Sequence, residues 1–385
     1  MNRIHALVLA LCPLLVACDG AEQDRSAGGF GSETTNGIKV AGNGEAGTIL
    51  TARRLDRVEA PYQVRIDSAG ALLWKLPPGA WAVQGTLGGQ SFQRHLVLRP
   101  SDTATEFEWF TLSAPGALQG RVVGLPASPS SDLNVWLPGL GRCIPPNPDG
   151  SFRFEDVPLG PYVIRLVQGN TVLAETFGHT CDCSSIVLDP SDRSFLLDDF
   201  DNGGTPRLAY LLPETKWLVW GGLEFSGIFP KDTPFAQLLT DTGAWSGRSV
   251  HAPEVHSQYG PSTLALMLGS RGVSEGESFY DLSGTDSLVF RVKGSANLLV
   301  EIKAQPKMAP VSMELAHPQF VVGQLDSQWT RIAISWKDFT GPDRLPLGND
   351  FFSMEVHKIM FIYNSGDLWL DDIRIMGATP STFLR

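Results

Sequence analysis

The stretch Asp281–Gly294, DLSGTDSLVFRVKG, decides the fold class of this chain. Apolar side chains at Leu288, Phe290 and Val292 alternate with polar ones, which is the period of a β-strand with one face on a core. The Asp, Ser, Gly and Thr residues that precede them are typical of a turn. We therefore expect a turn followed by a strand, with Arg291 facing away from the core.

A second segment repeats this pattern. In WTRIAISW, residues 329–336, alternation predicts that Ile332, Ile334 and Trp336 face the core and that Arg331 faces away. The chain contains 40 Gly and 27 Pro, and no extended stretch after residue 17 has the apolar period of a helix. Such a composition favours short strands joined by tight turns, so we expect an all-β protein.

An internal repeat lies in the first half of the chain. DSAGALLW (67–74) followed by LPPGAWAV (76–83) matches DGSFRF (149–154) followed by VPLGPYVI (157–164). In each copy a Gly turn opens a strand of alternating large side chains, and a Pro-x-Gly turn reverses the chain into a second strand. We expect core positions for the large side chains of both copies, which are Trp74, Trp81, Phe152 and Tyr162.

This repeat resembles the carboxypeptidase-regulatory-like, transthyretin-like β-sandwich of bacterial surface proteins. The resemblance covers residues 37–113 and 114–189 and is clearer in the second copy. It implies two small Ig/transthyretin-like β-sandwiches without peptidase chemistry, which act as spacers or interaction modules.

A larger domain follows from residue 194. It opens with FLLDDFD (195–201) and closes with LWLDDIRI (368–375). Together with the two strand segments above, this order resembles the galactose-binding-like β-jelly rolls, a group that includes family-eleven carbohydrate-binding modules and the complex I intermediate-associated proteins. The resemblance covers residues 194–377 and leaves residues 378–385 as a tail.

Paired acids at both ends of this domain are candidate metal ligands: Asp198, Asp199, Asp371 and Asp372. Strand alternation puts Asp198 on the face of Phe200, and Asp371 on the face of Ile373. An inward carboxylate is costly unless it is paired or bound to metal. The resemblance implies a structural Ca²⁺ where the first and last strands meet, and Ca²⁺ prefers several oxygen ligands. The alternative is that these acids cap strands or accept backbone hydrogen bonds.

Carbohydrate recognition requires aromatic faces for the C–H side of a sugar and planar polar groups for its hydroxyls. Aromatic residues crowd the stretch before Tyr280, and Arg291 lies on the non-core side of its strand. The candidate sugar-binding residues are Trp217, Trp220, Trp245, Tyr259 and Arg291. The alternative is that most of these aromatic residues belong to the core.

The N-terminus has the form of a secretory signal, with a basic start and an apolar run too short to span a bilayer. Its end, LVAC (15–18), resembles the lipobox of bacterial lipoproteins. The resemblance implies removal of residues 1–17, lipidation of Cys18 and anchoring in the cell envelope, with the choice between inner and outer membrane left open. An ordinary signal peptide that ends near a cysteine is the alternative. Residues 18–36 are polar and Gly-rich and are predicted to be a flexible tether.

Of the five cysteines, Cys12 is removed with the signal and Cys18 is the lipidation site. An oxidising envelope permits one disulfide, from Cys143 to Cys181 or Cys183. A C-x-C metal site at Cys181 and Cys183 is the alternative, although no His/Cys partner set lies nearby in the sequence.

The formal net charge of −11 argues against nucleic acid as a partner. The chain contains no G-x-S-x-G, H-E-x-x-H or P-loop motif, and no organic cofactor is indicated. We therefore predict a non-catalytic, lipid-anchored envelope protein whose jelly roll binds a polysaccharide or cell-wall glycan. The alternative is a structural or assembly lipoprotein whose jelly roll binds another envelope protein.

Overall fold

The protein is all-β, as predicted. The computed structural model describes residues 37–98, 104–106, 111–125, 132–180, 186–212, 215–221, 223, 235–254, 260–268, 270–271, 276–277, 280–307 and 316–384. Within these residues, no helix has the length and apolar character that crossing a membrane requires.

The first sandwich is built from a three-stranded sheet, β4-β1-β7, and a four-stranded sheet, β3-β2-β5-β6. Its strands are β1 Ile38–Asn43, β2 Ile49–Arg54, β3 Tyr62–Arg65, β4 Ala71–Leu76, β5 Gly79–Leu87, β6 Gln90–Leu98 and β7 Ala104–Glu106. Trp81 lies in the core and donates its indole N–H to the carbonyl of Pro77 at 3.1 Å.

The second sandwich repeats this topology strand for strand, with sheets β11-β8-β14 and β10-β9-β12-β13. Its strands are β8 Gly116–Val122, β9 Leu133–Leu137, β10 Arg142–Ile144, β11 Ser151–Val157, β12 Pro161–Gln168, β13 Thr171–His179 and β14 Ile186–Leu188. Tyr162 takes the place of Trp81, and its hydroxyl donates to the carbonyl of Pro158 at 2.8 Å. The same bond, four residues back to a proline carbonyl, therefore satisfies the buried polar atom in both copies.

The jelly roll consists of two antiparallel sheets. The front sheet has the order β17-β18-β27-β22-β25, with β15 also paired to β27, and the back sheet has the order β16-β19-β26-β23-β24. The strands are β15 Ser194–Asp198, β16 Lys216–Gly221, β17 Leu239–Thr240, β18 Ser249–Ala252, β19 Ser262–Met267, β20 Ser270–Arg271, β21 Gly276–Glu277, β22 Ser287–Gly294, β23 Asn297–Pro306, β24 Gln319–Gln324, β25 Thr330–Ser335, β26 Met354–Asn364 and β27 Leu368–Met376. The helices among the described residues are the 3₁₀ turns Arg207–Tyr210, Phe235–Leu238, Trp336–Asp338 and Gly348–Ser353 and the α-helix Pro380–Phe383.

Leu288, Phe290 and Val292 are buried between the two sheets, as their alternation predicts. Ile334 and Trp336 are buried with them, and Ile332 is half-buried at the edge of the same core. The strand pattern of the sequence thus predicted which face of β22 and β25 packs inward.

The segment predicted as a tail is packed between the second sandwich and the jelly roll. Phe383 is fully buried, with its ring centroid 5.0 Å from that of Phe195. Ser381 donates its hydroxyl to Glu175 at 2.9 Å, and the same carboxylate is paired with Arg165 at 2.8 Å. This short C-terminal helix therefore joins two of the three sandwiches.

The two small sandwiches also contact each other directly. Gln93 of β6 donates its backbone N–H to the carbonyl of Leu159 at 2.7 Å, and its side-chain amide to that of Pro161 at 2.8 Å. Gly160 lies between these bonds, where a Cβ atom would sit 2.0 Å from the Gln93 carbonyl oxygen. A glycine is required there because the two backbones approach so closely.

Candidate functional site

The paired acids at the first strand of the jelly roll bond to protein donors. Asp198 is fully buried and accepts hydrogen bonds from Trp217 Nε1 at 2.7 Å and from the Phe200 N–H at 3.0 Å. Burial raises the pKa of Asp198 to about 7, although these hydrogen bonds act in the opposite direction. Asp199 accepts from Arg207 Nε, with its two carboxylate oxygens at 2.8 and 3.0 Å.

A β-bulge changes the expected orientation of Asp371. Across the β22–β27 pair the register shifts between Val289 and Arg291, so Asp371 lies opposite Arg291 rather than on the face of Ile373. Asp372 occupies the extra position with a φ of +48°. Because a bulge inserts one residue into one strand, it reverses the alternation on one side of it. The prediction that Asp371 faces the core with Ile373 is therefore wrong, and Asp371 lies on the outer face of the front sheet.

Asp371 is nevertheless buried, because the loop of residues 241–248 covers it. Its carboxylate accepts from the Ser249 hydroxyl at 2.6 Å and from the Asp372 N–H at 2.7 Å. Burial raises the pKa of Asp371 to about 6. Asp372 accepts from Arg374 Nε at 2.6 Å. Within the described parts of the chain, no three His, Cys, Asp or Glu side chains are grouped to hold a metal ion, and calcium binding by the four acids stays a prediction.

The predicted sugar-binding residues do not form a single site. Trp217 lies in the core, stacked on Phe235 with 5.0 Å between ring centroids, so it has no face to offer a ligand. Trp220, three residues along the same strand, faces outward on the back sheet with Lys358 Nζ 5.2 Å from its ring. Tyr259 lies outside the described residues. Side chains alternate between the two faces of a strand, so residues three apart, such as Trp217 and Trp220, point to opposite faces.

Trp245 and Arg291, by contrast, come together on the outer face of the front sheet. The Arg291 guanidinium carbon lies 3.7 Å from the centroid of the Trp245 ring. Trp245 is 47% exposed and is the one aromatic residue among the large apolar side chains that the described structure exposes. Its backbone N–H donates to the Ser249 hydroxyl at 3.2 Å. The ring is therefore both accessible and held in place.

A row of side chains crosses four strands beside this pair. The strand registers align His251 with Trp369, and Trp369 with Lys293. The imidazole of His251 stacks on the indole of Trp369 with 4.0 Å between centroids. Lys293 Nζ lies 4.4 Å from the Trp369 ring and 4.9 Å from that of Trp329, which precedes β25. Both distances are within the range of cation–π attraction.

A second row lies next to the first and consists of Ser249, Asp371, Arg291 and Arg331. The carbonyl of Gly243 ties the covering loop to the first row, because it accepts from Lys293 Nζ at 2.7 Å and from Trp329 Nε1 at 3.1 Å. We call this surface the tryptophan face and define it by Trp245, His251, Arg291, Lys293, Trp329, Arg331 and Trp369.

Sequence reasoning missed five members of the tryptophan face as ligand-binding residues: His251, Lys293, Trp329, Arg331 and Trp369. Alternation already placed Lys293 on the outer face of its strand, and Trp329 shares the outward parity of Arg331. The signal for each residue was therefore present within its own strand. What the sequence lacks is the register that aligns these positions across the sheet.

The cysteines are only partly described. Cys143, on β10, is disulfide-bonded. Its predicted partners, Cys181 and Cys183, lie outside the described residues, as does the predicted lipidation site Cys18. The choice between the two partners, and lipidation, stay predictions.

Comparison with known proteins finds no matching family model and no matching curated protein. Several solved structures are similar. A family 11 carbohydrate-binding module from Clostridium thermocellum, in complex with a β-1,3-1,4-mixed-linked tetrasaccharide, has a TM-score of 0.29 and 17% identity, over 49% of this chain and 98% of that one. A family 30 module of a Clostridium thermocellum cellulosomal cellulase has a TM-score of 0.27 and 19% identity, over 36% of this chain and 80% of that one. A family 29 module has a TM-score of 0.27 and 10% identity, over 50% of this chain and 96% of that one.

Proposed function

We propose that this protein binds a polysaccharide through the tryptophan face of its jelly roll. The observation that carries the proposal is the exposed, immobilised ring of Trp245. A pyranose presents a C–H face that packs against an aromatic ring, and an ordered ring loses little conformational entropy when the ligand binds. Arg331 is exposed on β25, directly opposite Arg291, and its guanidinium is suited to the polar groups of a sugar.

The proposed role is binding without catalysis. A glycosidase needs two carboxyl groups that are free to act as acid and as base or nucleophile. The carboxylates that the structure places at the tryptophan face are occupied instead. Asp372 accepts from Arg374, Asp371 accepts from Ser249, and Asp367 accepts from Trp369 Nε1 at 3.2 Å. These contacts support a surface that holds a glycan and leaves its bonds intact.

The position of the protein in the cell is also part of the proposal. We propose that the lipid on Cys18 anchors the chain in the bacterial envelope and that residues 18–36 act as a tether. The LVAC order at residues 15–18 supports this placement. The two small sandwiches contact each other directly, and the C-terminal helix joins the second one to the jelly roll. Together they would act as a spacer between the membrane and the glycan-binding module.

Affinity electrophoresis of the full chain, with Cys18→Ser to keep it soluble, tests the proposal. The gels would contain mixed-linkage β-glucan, xylan, agarose, pectin, polygalacturonate, alginate or carrageenan. We expect at least one polysaccharide to retard the protein, and Trp245→Ala to weaken that retardation about ten-fold or more. Trp220→Ala on the back sheet is the matched control and should leave retardation unchanged.

Two outcomes would contradict the proposal. If no polysaccharide retards the protein, the jelly roll has another function. If Trp220→Ala abolishes retardation and Trp245→Ala does not, the glycan binds the back sheet and the tryptophan face is not the site.

A further inference from the structure

The tryptophan face places two positive charges directly opposite each other. Arg291 on β22 and Arg331 on β25 are cross-strand partners on the outer face of the front sheet. Like charges in directly opposed positions destabilise a sheet. The chain as a whole carries a formal charge of −11, so acidic side chains that could have separated these arginines are abundant. Arg291 also faces Asp371 across β27, whereas Arg331 lies on the edge strand β25 and has no acidic cross-strand neighbour in the described sheet.

Two carboxylates are neighbours of Arg291, Asp371 opposite it on β27 and Asp372 beside it, and both accept hydrogen bonds from other donors. The distance from Arg291 Nε to Asp372 Oδ2 is 3.9 Å, which is too long for a hydrogen bond, while Arg374 Nε donates to the same carboxylate at 2.6 Å. Arg291 Nε is buried and has no hydrogen-bond acceptor among the described residues. Arg331 is exposed and has no ion-pair partner in that part of the chain.

Lys293 adds a third cation without a carboxylate. Its ammonium contacts the rings of Trp329 and Trp369 and donates to the Gly243 carbonyl. Of the acids around the face, Asp241 pairs with Arg248 at 3.0 Å, and Asp367 accepts from Trp369 Nε1 at 3.2 Å and lies 3.5 Å from His251. Arg291 thus has acidic neighbours, whereas Lys293 and Arg331 have no carboxylate within ion-pair distance among the described residues of the tryptophan face.

From this arrangement we infer that the ligand of the tryptophan face is an anionic polysaccharide, one whose sugar rings carry carboxylate or sulfate groups. The inference rests on the proposed function and narrows its substrate class. Trp245 packs against a sugar ring, and the guanidinium of Arg331 pairs with the anionic substituent of that ring or its neighbour. A guanidinium matches the geometry of both carboxylate and sulfate oxygens. A neutral glycan would leave Arg331 without an anionic partner.

Matched polysaccharides test the charge directly on the full chain carrying Cys18→Ser. Polygalacturonate is compared with highly methyl-esterified pectin, which has the same backbone with most carboxylates masked. Carrageenan is compared with agarose, which lacks its sulfates. We expect the charged member of at least one pair to bind about ten-fold more tightly than its neutral counterpart, and this preference to shrink as salt rises from 50 to 500 mM. The pair that shows the preference identifies carboxylate or sulfate as the recognised group.

The variant Arg331→Gln tests whether Arg331 is responsible for the preference for a charged polysaccharide. This side chain is exposed, so the substitution should weaken binding of the charged polysaccharide about ten-fold with little effect on folding. Arg153→Gln removes one exposed positive charge, paired with Glu155, from the second sandwich and should leave binding unchanged. Equal affinity for both members of each pair, with Trp245→Ala abolishing both, would overturn the inference and leave glycan binding itself intact. If no polysaccharide of the panel binds, both the inference and the proposed function fail.

Discussion

Asp198 and Trp217 show how a carboxyl group is accommodated inside the jelly roll. The indole N–H and a backbone N–H bond to the buried acid, while burial raises its pKa to about 7. Between the unfolded pKa of about 3.9 and the folded value, the native state holds more protons than the unfolded chain. The contribution of Asp198 to stability therefore falls as the pH rises across this window. Above pH 7 the charged form depends on the donors that the fold supplies.

Trp217→Phe removes the indole donor and retains an aromatic ring in the core. We expect it to lower the free energy of unfolding by about 1–3 kcal/mol, because one oxygen of the buried carboxyl loses its partner. The loss should be larger at pH 8 than at pH 5, since the charged form needs the donor more. Urea unfolding at both pH values measures it. Trp220→Phe, on the outward side of the same strand, should change stability by less than about 0.5 kcal/mol. Equal losses in the two variants would contradict this account.

At the scale of elements, the helix Pro380–Phe383 connects units that are distant in sequence. A helix this short has little stability of its own. Tertiary contacts hold it, through the buried ring of Phe383 on one side and the bonds of Ser381 to Glu175 on the other. Phe177 of the second sandwich and Phe195 of the jelly roll meet beside it, with 5.3 Å between ring centroids.

Phe383→Ala tests the role of this helix. Because the side chain is fully buried, we expect a loss of about 3–5 kcal/mol in the stability of the jelly roll. The second sandwich should be less affected, so calorimetry should show two separated transitions where the wild type shows coupled unfolding. Leu345→Ala, at a position that is 63% exposed, is the control and should melt like the wild type. An unchanged melting profile of Phe383→Ala would show that the helix does not couple the two units.

At the scale of the whole molecule, the outer surface of β6 forms the contact between the two small sandwiches. His95 lies on this strand, fully buried, and neither ring nitrogen has a hydrogen-bond partner among the described residues. Burial, together with the smaller effect of the nearby His179, lowers the pKa of His95 to about 3. The ring is therefore neutral in the folded protein at pH 7.

The neutral state of His95 predicts acid sensitivity of this junction. Below the unfolded pKa of about 6.5 the unfolded chain binds a proton that the native state cannot. Stability is thus present above pH 6.5 and is lost as the pH falls towards 3, at up to about 1.4 kcal/mol per pH unit. The titration of Asp198 changes stability in the opposite direction over an overlapping pH range. The effect of His95 is therefore measured by comparing a His95 variant with the wild type. His95→Leu should unfold with a shallower loss between pH 6.5 and 4.5, measured by urea titration. Parallel stability curves for variant and wild type would contradict this assignment.

The sequence by itself determined the all-β class, the repeated sandwich and the inward face of strands such as β22. Those properties are local, because alternation and Gly-Pro turns act within a few residues. Leu288, Phe290 and Val292 on β22, and Trp81 and Tyr162 in the two repeats, could be assigned to the core from their own segments.

The tertiary structure alone decided the site. Trp217 and Trp245 come from the same aromatic stretch, yet Trp217 lies on the inward side of β16 and Trp245 lies on the loop of residues 241–248, outside the core. The bulge at Asp372 moved Asp371 from the predicted inner face to the outer one. The tryptophan face joins side chains from four strands that lie far apart in the chain. Its existence depends on cross-strand register, and a shift of one residue in register would turn each of these side chains to the opposite face.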